Sequence, residues 1–196
     1  LNVPTIFNSF KYDEISFISQ GMSNDHVFIY TKDNKLYGFG KNGNGEVGIN
    51  PSDEYIKKPS LIDYDFNSIL KQIKCGYTFS SFLTENGNVF CSGIADENIF
   101  IFNVDNMNTS MRIIIDTANI VSIDCCSSTG YGLTNNNKLT SFGSNQYGLR
   151  FEYPNTKSFS CGYNHVGVLT LNGDVYMFGN NTHYECGCDI SEDING

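Results

Sequence analysis

The stretch from Cys161 to Gly187, CGYNHVGVLTLNGDVYMFGNNTHYECG, decides the fold because related stretches occur three more times in the chain. Its centre predicts a β-hairpin, since β-branched and aromatic residues fill the runs from Val166 to Leu171 and from Asp174 to Phe178. The pair Asn172-Gly173 separates these two runs. An Asn-Gly pair in this position predicts a two-residue type I′ turn, in which both central residues have positive φ.

Four copies of this unit follow one another, and in each a threonine precedes the turn pair by two residues. These threonines are Thr31, Thr84, Thr134 and Thr170, separated by 53, 50 and 36 residues. A period near 50 with several strand-like runs per unit is typical of propeller blades. We therefore expect a single domain over residues 1–196, with approximate repeats 1–51, 52–101, 102–151 and 152–196.

The segments between the hairpins predict an outer strand for some of the repeats. Pro4 and Pro59 each precede a short apolar run, and proline is tolerated on an edge strand. The last interval is too short for such a strand, so we expect a trimmed fourth blade. No apolar pattern with helical spacing extends over a helix length, and the expected fold class is all-β.

Composition and charge restrict the classes of partner. Hydrophobic residues make up 40% and charged residues 17%, as in a globular domain. The net charge of −9 argues against direct binding of nucleic acid, which requires a basic face. It fits a basic protein partner, although solubility alone also explains it. No apolar run approaches the ~20 residues of a membrane span. Because the first residue is Leu1, we expect the chain to be part of a longer one.

The seven cysteines are interpreted as free thiols that pack in the core. Their number is odd and no secretory leader precedes them, so we expect an intracellular protein, cytoplasmic or nuclear. Cys75, Cys125 and Cys161 each lie nine residues before a repeat threonine. They therefore represent one repeat position, and free cysteine is among the most buried residue types.

The combined pattern I-x-x-I-x-C-G-x-x-H-x-x-x-L-T-x-x-G-x-V-Y-x-F-G-x-N-x-x-G-x-x-G resembles the repeat of the regulator of chromosome condensation (RCC1) family and covers nearly the whole chain. The resemblance implies a seven-bladed β-propeller, of which about four blades, roughly half a ring, are present. The remaining blades would come from the parent chain or from another chain. The third copy departs from the pattern, with Cys126 and Thr129 in place of Gly and His. The glycines assigned to structural repeat positions are Gly21, Gly40, Gly76, Gly93, Gly143, Gly162 and Gly179.

The resemblance also implies a binding face. The family includes a guanine-nucleotide exchange factor for the small GTPase Ran, in which histidines and acidic residues on one propeller face contact the GTPase. By this resemblance His26 and His165, with their neighbours Asp25 and Asn164, are candidate partner-facing residues. The alternative is that this repeated histidine holds its turn by a hydrogen bond to the backbone.

Catalytic and cofactor chemistry is not indicated. His183, Cys186 and Cys188 are close in sequence but lack a fourth ligand, so we predict no metal site. No nucleophile-and-base constellation occurs, and we predict no catalytic residues and no cofactor. Glycines 38, 40 and 43 match a dinucleotide-binding pattern, but no helix is expected to follow them.

The leading functional prediction is a regulatory protein-interaction propeller. A guanine-nucleotide exchange factor for a Ran-like GTPase is the first alternative, with residues 96–119 as the one candidate for an inserted wedge, although this segment also fits an outer strand with loops. The second alternative is a hydrolase-inhibitor propeller, which would be extracellular. The absence of tryptophan excludes a light sensor based on tryptophan clusters.

Overall fold

Every regular element in the described part of this chain is a β-strand, as the sequence predicts. The computed structural model describes residues 10–11, 14–20, 25–49, 53–96, 99–100, 111–115, 119–143, 153, 155–189 and 193–194. Within these residues the strands form four antiparallel sheets. No helix in this part of the chain is long and apolar enough to cross a membrane.

The first two sheets take their first three strands from repeats 1–51 and 52–101, but each takes its outer strand, β4 or β9, from the repeat that follows. The first sheet has the order β1-β2-β3-β4. Its strands are β1 (Ile15–Gln20), β2 (His26–Thr31), β3 (Leu36–Lys41) and β4 (Tyr55–Ile62). The second sheet has the order β5-β6-β7-β8, and β9 also pairs with β7. Its strands are β5 (Leu70–Cys75), β6 (Phe79–Thr84), β7 (Val89–Asp96), β8 (Ile99–Phe100) and β9 (Met111–Ile115).

The other two sheets are shorter meanders in the described residues. The third contains β10 (Ile120–Cys125), β11 (Thr129–Thr134) and β12 (Leu139–Gly143). The fourth contains β13 (Thr156–Cys161), β14 (His165–Thr170) and β15 (Val175–Gly179). In all four sheets the first three strands pair in chain order, which is the connectivity of propeller blades.

The predicted outer strand is present in the first sheet, where β4 contains Pro59 and lies at the sheet edge. Pro4 lies outside the described residues. The segment 96–119, considered above as a wedge or an outer strand, contributes β8 and β9. Because β9 pairs with β7, this part of the segment is an outer strand. Residues 97–98, 101–110 and 116–118 lie outside the described part of the chain.

None of the four hairpin turns is of type I′, the type that the sequence predicts at Asn172-Gly173. In the fourth sheet the Gly173 amide donates to the Thr170 carbonyl (3.1 Å), and the Thr170 amide donates to the Asp174 carbonyl (2.9 Å). Gly173 has a positive φ of 92°, whereas Asn172 does not. The two-residue prediction was therefore wrong, and the loop is a three-residue type I turn followed by one left-handed residue. The residues at this left-handed position in the other hairpins are Asn34, Gly87 and Asn137.

The repeated threonine closes each turn through its side chain. The Thr84 Oγ1 accepts a hydrogen bond from the Asn88 amide (3.1 Å) and donates one to the Asn88 carbonyl (3.0 Å). The amides of Lys35, Lys138 and Asp174 donate to the equivalent threonines at 3.0–3.1 Å. Because the hydroxyl bridges both ends of the loop, a threonine at this position specifies where the hairpin turns.

The hydrophobic core lies between successive sheets. Phe28 of the first sheet and Phe82 of the second are fully buried, with ring centroids 5.2 Å apart in an edge-to-face contact. A second cluster joins the second and third sheets and includes Leu83, Val89, Ile120 and Ile123. A third joins the third and fourth sheets and includes Tyr131, Leu139, Val166 and Phe178. Face-to-face stacking of consecutive sheets is the arrangement of propeller blades, and the chain forms part of such a propeller.

The fifth residue of the third strand of each sheet is a glycine, which allows a close backbone approach. Gly179 has a φ of 106°, and a Cβ at this position would lie 2.3 Å from the Asn164 carbonyl oxygen. Without a side chain there, the next amide, that of Asn180, donates to that same oxygen at 2.7 Å. The equivalent glycines Gly40, Gly93 and Gly143 also have positive φ. Gly21 lies outside the described residues.

Candidate functional site

The turns that follow β5, β10 and β13 lie side by side at one end of the propeller. The Tyr77 amide donates to the Ser127 carbonyl (2.6 Å), and the Ser127 amide donates to the Tyr163 carbonyl (2.7 Å). Each turn belongs to a different sheet, so these bonds tie three blades together. We use "the rim" for Lys41, Tyr77, Ser127, Tyr163 and Asn164, which meet at this end.

Two tyrosines contact each other across the rim. The ring centroids of Tyr77 and Tyr163 are 6.3 Å apart, with an interplanar angle of 76°. This is the edge-to-face arrangement that aromatic pairs prefer. Ser127 occupies the equivalent turn position in the blade between them, and its short side chain leaves room for the contact. The two tyrosines remain 46% and 49% exposed, so the pair presents aromatic surface to solvent.

Lys41 adds a positive charge next to this pair. Its Nζ lies 5.2 Å from the centroid of the Tyr77 ring, within the range of a cation–π interaction. The Lys41 amide donates to the Asp25 carbonyl (2.6 Å), which fixes the lysine backbone at this end of the first sheet. Asp25, one of the predicted partner-facing residues, is exposed beside it.

Asn164, also predicted to face a partner, belongs to the rim. Its Oδ1 accepts a short hydrogen bond from the Ser127 hydroxyl, and its carbonyl accepts the Asn180 amide. The side chain therefore joins the third and fourth blades. It is half-buried, so part of it remains accessible to a partner.

His26 does not lie on the surface. It is 1% exposed, and its Nε2 is 2.9 Å from the Ser80 hydroxyl of the second sheet. Ser80 in turn donates to the Glu46 carbonyl (2.9 Å). Burial away from water lowers the pKa of His26 to about 4, opposed by the nearby Glu46 and Asp25 charges. A partner cannot reach this imidazole, so its placement among the partner-facing residues is corrected. Its partner is also a side chain of the next blade rather than the backbone of its own turn.

His165 is half-buried and packs over a glycine of its own turn. A Cβ on Gly162 would lie 2.3 Å from the His165 ring, and one on Gly76 would lie 2.1 Å from the Phe79 ring. The repeat glycine therefore makes room for a ring three residues later. The third blade has Cys126 at the glycine position and the small Thr129 in place of the ring, which accounts for that departure from the repeat. Whether His165 contacts a partner stays a prediction.

The sequence interpretation missed Tyr77 and Tyr163. Each follows a repeat glycine, in the pairs Gly76-Tyr77 and Gly162-Tyr163. An aromatic residue recurring in a tight turn, where it is not needed for the core, was the available signal. The two rings belong to the second and fourth blades, and a contact between different blades is not revealed by the pattern of a single repeat.

Five of the seven cysteines are buried as packing residues, whereas Cys161 and Cys188 are only half-buried. Cys75 and Cys125 are buried, and desolvation raises the pKa of Cys75 to about 12 and that of Cys125 well above its usual value. Such thiols are protonated and unreactive at neutral pH. The Cys186 amide donates to the Asn181 Oδ1 (2.8 Å), as the Val47 amide does to Asn42 (3.1 Å) in the first blade. Among the described residues, no three His, Cys, Asp or Glu side chains are arranged to hold a metal ion.

Comparison with known proteins gives the family. Two models of the regulator of chromosome condensation (RCC1) repeat match residues 33–83 and 157–185. The X-linked retinitis pigmentosa GTPase regulator of Mus musculus is 31% identical over 150 residues, which cover 75% of this chain and 15% of that protein. The guanine nucleotide exchange factor SRM1 of Saccharomyces cerevisiae is 29% identical over 90 residues, 44% of this chain and 18% of that protein.

The fold is also similar to a solved structure. Human WBSCR16 superposes with a TM-score of 0.73 at 15% sequence identity, over 96% of this chain and 53% of that one. The chain thus spans about half of this structure and about 15% of the length of the mouse GTPase regulator. From its repeat pattern, its stacked four-sheet fold and these matches, the chain belongs to the RCC1 repeat family.

Proposed function

We propose that this chain is part of a regulatory propeller that binds another protein through the rim. The observation that carries the proposal is the half-exposed Tyr77–Tyr163 pair, held in place by backbone hydrogen bonds between three blades. Aromatic side chains on a rigid scaffold are enriched at the centres of protein interfaces, because they bury a large area at a small cost in side-chain entropy.

The sharper proposal is that the partner is a small GTPase. One relative is by name a GTPase regulator and another a guanine nucleotide exchange factor, and this supports the assignment. The propeller would bind the nucleotide-free GTPase more tightly than the nucleotide-bound form. Such differential binding accelerates nucleotide release without covalent chemistry and without a cofactor of the propeller.

The proposed function includes further blades, supplied by the parent chain or by another chain. Ile18 of β1 is 59% exposed, whereas Ile73 and Ile123, which hold the same register position in the next two blades, are 4% and 1% exposed. In the fourth sheet Val175 is 66% exposed, whereas its equivalent in the third sheet, Leu139, is 2% exposed. These two residues lie on faces that a neighbouring blade covers elsewhere in the chain, and exposed apolar faces favour association.

The test is release of a fluorescent GDP analogue from a panel of small GTPases, using the longest obtainable version of the chain. We expect acceleration with one GTPase and its loss in the variant Tyr77→Ala/Tyr163→Ala. Tyr176→Ala is the matched control, because Tyr176 is 47% exposed but pairs with Val168 in the middle of the fourth sheet, away from the rim. No acceleration by folded protein with any GTPase would overturn the exchange proposal. Acceleration that survives the double substitution would overturn the rim as its site.

A further inference from the structure

We propose that the Tyr77–Tyr163 pair is the binding site for a cationic side chain, an arginine or lysine carried by a basic loop of the partner protein. This inference rests on the proposed function, because it names the chemistry that the rim recognises. It assigns the central contact to residues outside the set of His26, His165, Asp25 and Asn164.

Lys41 shows how a cation is accommodated at the rim. Its Nζ lies over the Tyr77 ring at 5.2 Å, so an aromatic ring of the pair already receives a positive charge. Tyr163 stands 6.3 Å from Tyr77 and is 49% exposed, which leaves its ring accessible from solvent. The ring of a tyrosine is negative on its faces, and arginine in particular stacks on such faces.

The position of the pair is fixed before a partner arrives. The backbone bonds from Tyr77 to Ser127 and from Ser127 to Tyr163, at 2.6 and 2.7 Å, set the spacing of the turns that carry the rings. Asn164, next to Tyr163, is tied to both Ser127 and Asn180. A preorganised site loses little conformational freedom on binding, so a single cation–π contact contributes more of its energy to affinity.

The charge of the chain selects a basic loop over an acidic one. The net charge is −9, and such a field attracts cationic partners and repels anionic ones. At this end of the propeller Asp25 is exposed, and the Glu185 carboxylate lies in the loop after β15, where it accepts the His183 amide (2.9 Å). An acidic loop would meet Lys41 but would approach against the field of the whole chain.

The experiment is NMR titration of the full chain, labelled on its tyrosine rings, with N-acetyl-arginine methylamide. The matched probes are the citrulline analogue, which has nearly the same shape without the charge, and the glutamate analogue. Tyr77→Phe and Tyr163→Phe identify the two ring signals by their loss. Each retains an aromatic face, whereas Tyr163→Leu removes it. Both rings are about half exposed, so these variants are expected to keep the wild-type Tm.

We expect the arginine probe to shift the Tyr163 signal saturably, with affinity about three- to tenfold higher than that of the citrulline probe. With Tyr163→Phe, the Tyr77 signal should still respond to the arginine probe, whereas with Tyr163→Leu its response should weaken by a similar factor. Equal responses to the arginine and citrulline probes, or a stronger response to the glutamate probe, would overturn the proposal that the pair binds a cationic side chain. Because no GTPase is present, failure here is distinguishable from failure of the nucleotide-release assay.

Discussion

Burial of His26 as a neutral imidazole makes the stability of the chain depend on pH in a defined window. The pKa of His26 is lowered from 6.5 to about 4 in the folded chain, chiefly by desolvation. Above pH ~6.5 both folded and unfolded chains hold it neutral. Between about 6.5 and about 4 only the unfolded chain binds the proton, so stability falls as the pH falls. The shift corresponds to a loss of about 3 kcal/mol at pH ~4.

The perturbation that isolates this effect is His26→Phe. Phenylalanine occurs at the same repeat position in the second blade, as the fully buried Phe79, so a ring without titratable nitrogen fits such a site. Ser80 keeps its hydrogen bond to the Glu46 carbonyl in this variant. The substitution therefore removes the titration while retaining packing. Its absolute stability at neutral pH serves as the baseline.

The assay is urea unfolding of both proteins, followed by circular dichroism, at steps between about pH 7.5 and about pH 4. Carboxylates titrate in both chains alike, so the difference in unfolding free energy between them reports His26 alone. We expect the stability of the wild-type chain to fall by about 3 kcal/mol more than that of the variant. Parallel curves would refute the reasoning, since they would mean that His26 is protonated in the folded chain as readily as in the unfolded one.

Three further predictions concern the repeat positions. Thr84→Val should lower the free energy of unfolding by about 1–2 kcal/mol, because it removes the two hydrogen bonds of the Thr84 hydroxyl to Asn88 while the backbone bonds of the turn remain; an unchanged urea midpoint would contradict this. Gly179→Ala, whose Cβ would lie 2.3 Å from a backbone oxygen, should lower Tm far more than Gly173→Ala, which has nothing within 4 Å; equal losses would show that φ alone matters. Thr129→Phe should destabilise by about 1–3 kcal/mol, and Cys126→Gly in the same chain should restore most of it; additive losses in a double-mutant cycle would rule out the steric coupling.

Much of the fold was predictable because each blade is specified by local chemistry. The threonine, the turn pair and the glycine at the fifth position of the third strand recur in order, and in the structure each takes part in a close backbone contact. The turn type was not predicted correctly, because Asn172-Gly173 fits both a two-residue loop and the second and third positions of a three-residue loop. The bonds of Thr170 to Gly173 and Asp174, which enclose three loop residues, decide between them.

The interior position of His26 could also have been inferred from the sequence. The same repeat position holds Phe79 and Thr129, both fully buried, and a position that accepts these residues is more typical of a core than of a polar binding face. The family resemblance predicted a partner contact for this histidine. The physical pattern across the repeats indicated burial instead.

The third blade shows why the rim itself was not predictable from one repeat. Its departures are Cys126, Ser127 and Thr129, which in sequence look like loss of the pattern. In the structure the Cβ of Cys126 occupies the space that the ring of a Phe or His at position 129 would need, and Thr129 is small enough to fit beside it. Ser127 is short enough for the tyrosines of the second and fourth blades to meet over it, at 6.3 Å. We expect a tyrosine at position 127 to occupy that space and to separate the two rings. The surface that we propose for partner binding therefore arises from a difference between repeats, whereas the fold arises from what they share.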